Sequence, residues 1–142
     1  MADPRLAVDN EEGAAVFASF NIDDSTITYS ATEDGGSAQV GLAVRLSAAD
    51  TVELVGDGEA VLGKLMKVED DGICTVQVGG FMELPGGSGA TLTLGTAIVG
   101  DLGAASAEGY IRSAASATAA ELIVCRGIIT NAGTTTAVMV YL

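Results

Sequence analysis

Residues 119 to 142 narrow the fold more than any other stretch of this chain. They read A-A-E-L-I-V-C-R-G-I-I-T-N-A-G-T-T-T-A-V-M-V-Y-L, two apolar β-branched runs on either side of Asn131-Ala132-Gly133. Such runs joined by a short loop rich in Asn and Gly predict a β-hairpin. The second run is apolar at consecutive positions, Val138, Met139, Val140, Tyr141 and Leu142. An antiparallel strand with one wet face alternates apolar and polar residues, and this one does not. Both of its faces are therefore expected to be covered, and in so small a domain the second cover is expected to come from another subunit. Val138 to Leu142 are on that ground the candidate subunit interface.

With 142 residues the chain has room for one domain and a sizeable core. Its hydrophobic content of 49% against 18% charged residues argues against disorder. Nineteen acidic residues and six basic ones leave a net charge of -13, and the six (Arg5, Arg45, Lys64, Lys67, Arg112, Arg126) are scattered. Nucleic acids and anionic membranes are bound by clustered Lys and Arg, so neither is expected as a partner. Histidine is absent, which removes the commonest acid-base group and the commonest transition-metal ligand. Cys74 and Cys125 are far apart, each within an apolar run, and read as buried free thiols. The first residues lack the apolar core of a signal peptide, and no apolar run has the length of a membrane span, so synthesis in a cytoplasm is expected.

Composition divides the chain near residue 25. Residues 1 to 13 are polar and acidic, Ala14 to Phe20 are briefly apolar, and Asn21 to Ser25 are polar again. Residues 1 to 25 are accordingly expected to be an arm that docks on something else, with Ala14, Val16, Phe17, Phe20 and Ile22 as its contact residues. A disordered leader followed by an edge strand is the other reading of the same pattern. From residue 26 to 142 strand signals follow one another closely. Thr26 to Ser30 alternates, residues 39 to 46 place Val40, Leu42, Val44 and Leu46 on one face, and Thr51 to Val55 runs into Gly56-Asp57-Gly58. Val61 to Val68 and Gly72 to Val78 flank an Asp-Gly turn, Thr91 to Val99 and Gly109 to Arg112 are further strands, and Ser113 to Ala120 is the one helical turn. Short strands at this spacing predict an all-β barrel or sandwich.

Chemistry-bearing motifs are sparse. Leu65-Met66-Lys67-Val68 is similar to the acylated turn of biotinyl and lipoyl carrier domains, but Lys67 is expected within a strand and not at a hairpin tip. Glu69-Asp70-Asp71 could attract a hard cation, yet adjacent acids in a Gly-closed turn lack an EF-hand spacing. No nucleophile has a base beside it in the sequence, and no phosphate-binding glycine loop leads into a Lys or a helix. No catalytic, metal or cofactor-binding residue is assigned, and no cofactor is expected.

Taken in order, Val76-Gln-Val-Gly-Gly-Phe81, Leu94-Gly-Thr-Ala-Ile-Val-Gly100, Gly109-Tyr-Ile-Arg112 and Cys125-Arg-Gly-Ile-Ile129 with the terminal Val-rich strand resemble the capsid decoration, or cement, proteins of tailed bacteriophages. The resemblance spans roughly Leu42 to Leu142. It implies a small β-barrel or β-tulip-like domain with an extended N-terminal arm and at most one short helix. It further implies a homotrimer on the outer surface of the virion, bound to the major capsid protein at local threefold axes and stabilising the expanded shell. The chain lacks the Pro-rich opening of some members. Other self-assembling β-modules, such as a head-fibre base, a tail-tube subunit or an S-layer-like subunit, share the same composition, and a carrier domain modified at Lys67 is the remaining alternative.

Overall fold

The computed structural model of the chain describes residues 15 to 115, 118 to 132 and, as backbone, 136 to 141. It is all-β, and five strands close into a barrel. These are β1 (Val16–Ile22), β2 (Ala43–Ala48), β3 (Thr51–Leu54), β4 (Gly63–Val68) and β5 (Ile73–Pro85), in the order β1-β3-β2-β4-β5, with β1 returning to pair with β5. All neighbours are antiparallel except β1 and β3, which run parallel. Closure gives each of these strands a partner on both sides, and a barrel this narrow is filled by side chains. Inside lie Ile27, Val44, Val52, Leu54, Leu65, Val68, Cys74 and Val76, with Phe20 and Ile22 packed against them.

β5 is thirteen residues long, about twice an ordinary strand. Its first half is a barrel stave, and its second half leaves the barrel to pair with β9 (Thr136–Tyr141), which pairs in turn with β8 (Ile128–Ala132). The hairpin expected at the end of the sequence is thus present. β6 (Ile98–Asp101) and β7 (Tyr110–Ser113) form a separate two-stranded sheet. Met82, Leu84, Ile98, Ile111 and Ile129 from these outer strands meet Ala43, Val55 and Val61 in a second core. Ala43 and Val44, consecutive on β2, are therefore both buried, one in each core.

The bend where β5 changes partners is built from local chemistry. Gly80 has φ of +91°, a region open to glycine at little cost. The buried Gln77 side chain donates to the carbonyls of Gly79 (3.2 Å) and Phe81 (2.8 Å), bridging the turn in the strand. Gly63 serves a different purpose. A Cβ there would sit 2.0 Å from the Gln77 carbonyl oxygen, so β4 can approach β5 closely only without a side chain.

Several elements differ from the sequence expectations. Val16–Ile22, read as part of an arm, is a barrel strand whose Ala18, Phe20 and Ile22 alternate toward the interior. Thr26 to Ser30 is turn and loop. Asp23 Oδ1 accepts from the Ser25 N–H and hydroxyl, and Thr26 Oγ1 accepts the Leu54 N–H that a neighbouring strand would otherwise take. Thr91 to Val99 yields strand only from Ile98, because hydroxyls again replace ladder bonds. The Thr93 N–H donates to Ser113 Oγ at 2.9 Å, and the Thr96 hydroxyl donates to the Thr93 carbonyl at 2.7 Å. The single α-helix among the described residues, α1, spans Ala119–Val124 and not Ser113–Ala120. Ser113 is held in β7 opposite Ile98, and Glu121 anchors the helix further along the chain.

Candidate interaction surface

The two segments singled out from the sequence, far apart in the chain, meet on β5. Val16 is registered opposite Gly79, and Tyr141 opposite Gly80. The bend thus has the start of β1 on one stretch of strand and the end of β9 on the next. Around it gather exposed apolar side chains. Val16 is 56% exposed, Phe17 53%, Phe81 38% and Ile128 37%. Phe81 and Ile128 are both registered to Val140, one on either side of it, so they share a sheet face about 10 Å apart. On the opposite face, Met82 and Ile129 are both registered to Met139 and are buried in the second core.

Of the candidate arm residues, Val16 and Phe17 thus face solvent, whereas Phe20 and Ile22 pack against the barrel core. Of the candidate interface residues, Val138, Met139, Val140 and Tyr141 have their backbone in β9. Ala14 and Leu142 lie outside the described residues, as do the side chains of residues 138 to 141. Leu94, Leu122 and Ile123 are also exposed and were missed as candidates. Leu122 and Ile123 are on α1, and a strand reading of that run could not place them.

The densest polar cluster joins α1 to the rest of the molecule. Arg112 on β7 makes a two-pronged contact with Glu121, Nη2 to Oε1 at 2.7 Å and Nη1 to Oε2 at 3.0 Å. It also donates to Asp57 Oδ1 from Nε at 3.1 Å and Nη2 at 3.0 Å. Glu121 Oε2 accepts the Ala115 N–H at 2.8 Å. The Arg112 guanidinium, and after it the Ala115 amide, holds the Glu121 carboxyl down to about 2. These contacts raise the Arg112 pKa in return. A satisfied fork of this kind fixes geometry and has no group left over for chemistry.

The remaining motifs take ordinary structural places. Lys67 lies within β4 and pairs with Glu69 at 2.7 Å, both well exposed. Asp71 Oδ1 accepts the Ile73 N–H in the turn that follows. Cys74 is buried in the barrel, where burial pushes its thiol pKa up, and Cys125 is half-buried just beyond α1. Among the described residues no group of three or more Cys, Asp or Glu is arranged to hold a metal ion. None of their helices is long and apolar enough to cross a membrane. Neither family models, nor characterised proteins, nor solved structures yield a match to this chain.

Proposed function

We propose that the protein is a structural virion component that binds the outer surface of a phage capsid, as a trimer at local threefold axes, and stabilises the expanded shell. The role is mechanical and involves no catalysis or cofactor. The observation that carries it is the exposed apolar side chains on the strands that meet at the β5 bend, Val16 and Phe17 on β1 and the Phe81–Ile128 pair sharing one sheet face, in a chain of net charge -13. Large apolar side chains exposed close together on a small protein point to an interaction site. A strongly acidic exterior keeps such a protein soluble and away from packaged nucleic acid. A clamp that binds only the expanded lattice stabilises it by mass action, and symmetric copies multiply a modest contact.

Two measurements on the purified full chain test this reading. A trimeric mass by light scattering, together with co-sedimentation with expanded phage shells, is the expected outcome. A monomer that stays in the supernatant overturns it. Tubes or sheets formed by the protein alone would favour the other self-assembling β-modules instead, and an acyl or biotinyl adduct on Lys67 in the intact mass would favour a carrier.

A further inference from the structure

The sequence contains three Asp-Gly pairs, Asp34-Gly35, Asp57-Gly58 and Asp71-Gly72. A following glycine leaves the backbone open enough for its amide nitrogen to reach the aspartate side-chain carbon. The fold treats the three pairs differently. The Gly58 N–H donates to the Gly100 carbonyl at 3.0 Å, and the Gly72 N–H to the Glu69 carbonyl at 3.2 Å. The carboxylates of those two pairs are engaged as well. Asp57 Oδ1 accepts from Arg112 at 3.0 and 3.1 Å, and Asp71 Oδ1 accepts the Ile73 N–H at 3.0 Å. Asp34 and Gly35 are both exposed. Neither the Asp34 carboxylate nor the Gly35 N–H has a hydrogen-bond or ionic partner among the described residues. Asp34–Gly36 is a single 3₁₀ turn seated on β4. The Gly36 carbonyl accepts the Ser30 N–H at 2.8 Å, and a Cβ on Gly36 would overlap the Val68 carbonyl. The turn therefore has no slack against β4.

We propose that Asp34 is a site of spontaneous covalent modification, converting to isoaspartate and releasing this turn from β4. The Gly35 amide nitrogen attacks Cγ of the protonated Asp34 carboxyl. The N–Cγ bond forms, the Cγ–OH bond breaks, and the hydroxyl leaves with the amide proton as water. Solvent water then opens the succinimide ring. Where it adds at the former main-chain carbonyl of Asp34, the bond from that carbon to nitrogen breaks. The hydroxyl of the water stays on the carbon and its proton goes to nitrogen. The chain now runs through Cγ, with a free carboxyl on Cα, and the product has the mass of the parent. Solvent is the only co-reactant. A main chain one carbon longer at this point does not fit between the Ser30–Gly36 bond and the Val68 carbonyl, so the turn lifts. The inference is independent of the capsid reading, because none of its residues belongs to the β5 patch.

Peptide mapping of the full chain, kept warm at neutral pH both folded and in concentrated urea, tests it. Aspartyl and isoaspartyl peptides share a mass but separate by chromatography, so each pair is read on its own. In the folded protein isoaspartate is expected to accumulate at Asp34 at least about 5-fold faster than at Asp57 or Asp71, where two hydrogen bonds must first open. In urea the three pairs are expected to convert within about twofold of one another, since only the fold distinguishes them. Asp34→Glu, which cannot close the five-membered ring, is the second comparison. The Ser30 amide should lose protection from hydrogen exchange as the parent converts, and keep it in the variant. Equal rates at the three pairs of the folded protein overturn the proposal. So does a lead for Asp34 that persists in urea, or a Ser30 amide that stays protected in converted molecules.

Discussion

At the residue scale, the Arg112–Glu121 fork has the largest energetic consequence. Both side chains are mostly buried, so removing one strands the other's charge. Arg112→Gln is expected to lower unfolding free energy by about 2–3 kcal/mol in urea titration, whereas replacing both residues with Leu should recover most of that loss. The pair also sets an acid limb. Glu121 titrates near 4.5 when unfolded and at about 2 when folded. A carboxyl whose pKa falls on folding contributes fully above the unfolded value, and loses that contribution as pH drops through the folded one. The urea midpoint should therefore fall between about pH 5 and pH 2, and Glu121→Gln should lack that component. None of this was legible beforehand. Arg112 and Glu121 are separated by a segment read as a helix, and nothing in their spacing announces the pairing.

Elements were legible where hydrophobic period and turn chemistry agreed. The β4–β5 hairpin with its Asp70-Asp71-Gly72 turn, strand β3 and the β8–β9 hairpin all stand where alternation and glycine placed them. Misreadings cluster where Thr and Ser are frequent. In residues 26 to 30 and 91 to 97 their hydroxyls satisfy backbone groups, so a strand-like composition resolves into loop. Close approach is a second blind spot. Gly63 looks like any strand glycine, yet a methyl group there meets the Gln77 carbonyl. Gly63→Ala should cost about 2–3 kcal/mol and lower the melting temperature, although alanine suits a strand better than glycine does. A melting temperature unchanged from the parent would show that β4 and β5 can separate freely.

For the whole molecule, the decisive feature is the convergence of β1 and β9 on the β5 bend. Phe81 and Ile128 are partly exposed in the protomer, so Phe81→Asp with Ile128→Asp should lower monomer stability by about 1–2 kcal/mol per site while leaving a cooperative unfolding transition. If the proposed trimer forms through this face, the same double variant should abolish it by light scattering, because charges would enter its contact. An oligomeric mass unchanged from the parent would place any subunit interface elsewhere. Truncation offers a complementary reading of the same architecture. Removing residues 1 to 14 should leave a cooperative unfolding transition by circular dichroism. Removing residues 1 to 22 deletes β1 and leaves β3 and β5 with unpaired edges, so that chain should be largely unfolded.

What the sequence determined by itself was the class of fold. Alternation, β-branching and glycine-bearing turns are local properties, and they dictate short strands whatever surrounds them. The acidic surface and the absence of histidine were equally readable, being matters of composition. Which strands became neighbours was decided only by tertiary structure. Barrel closure depends on β1 crossing to β5, a pairing of residues more than fifty positions apart that no local pattern encodes. The same closure drew Phe20 and Ile22 into the core and left Val16 and Phe17 outside. A side chain's burial depends on what lies across from it, and that is a property of the folded whole.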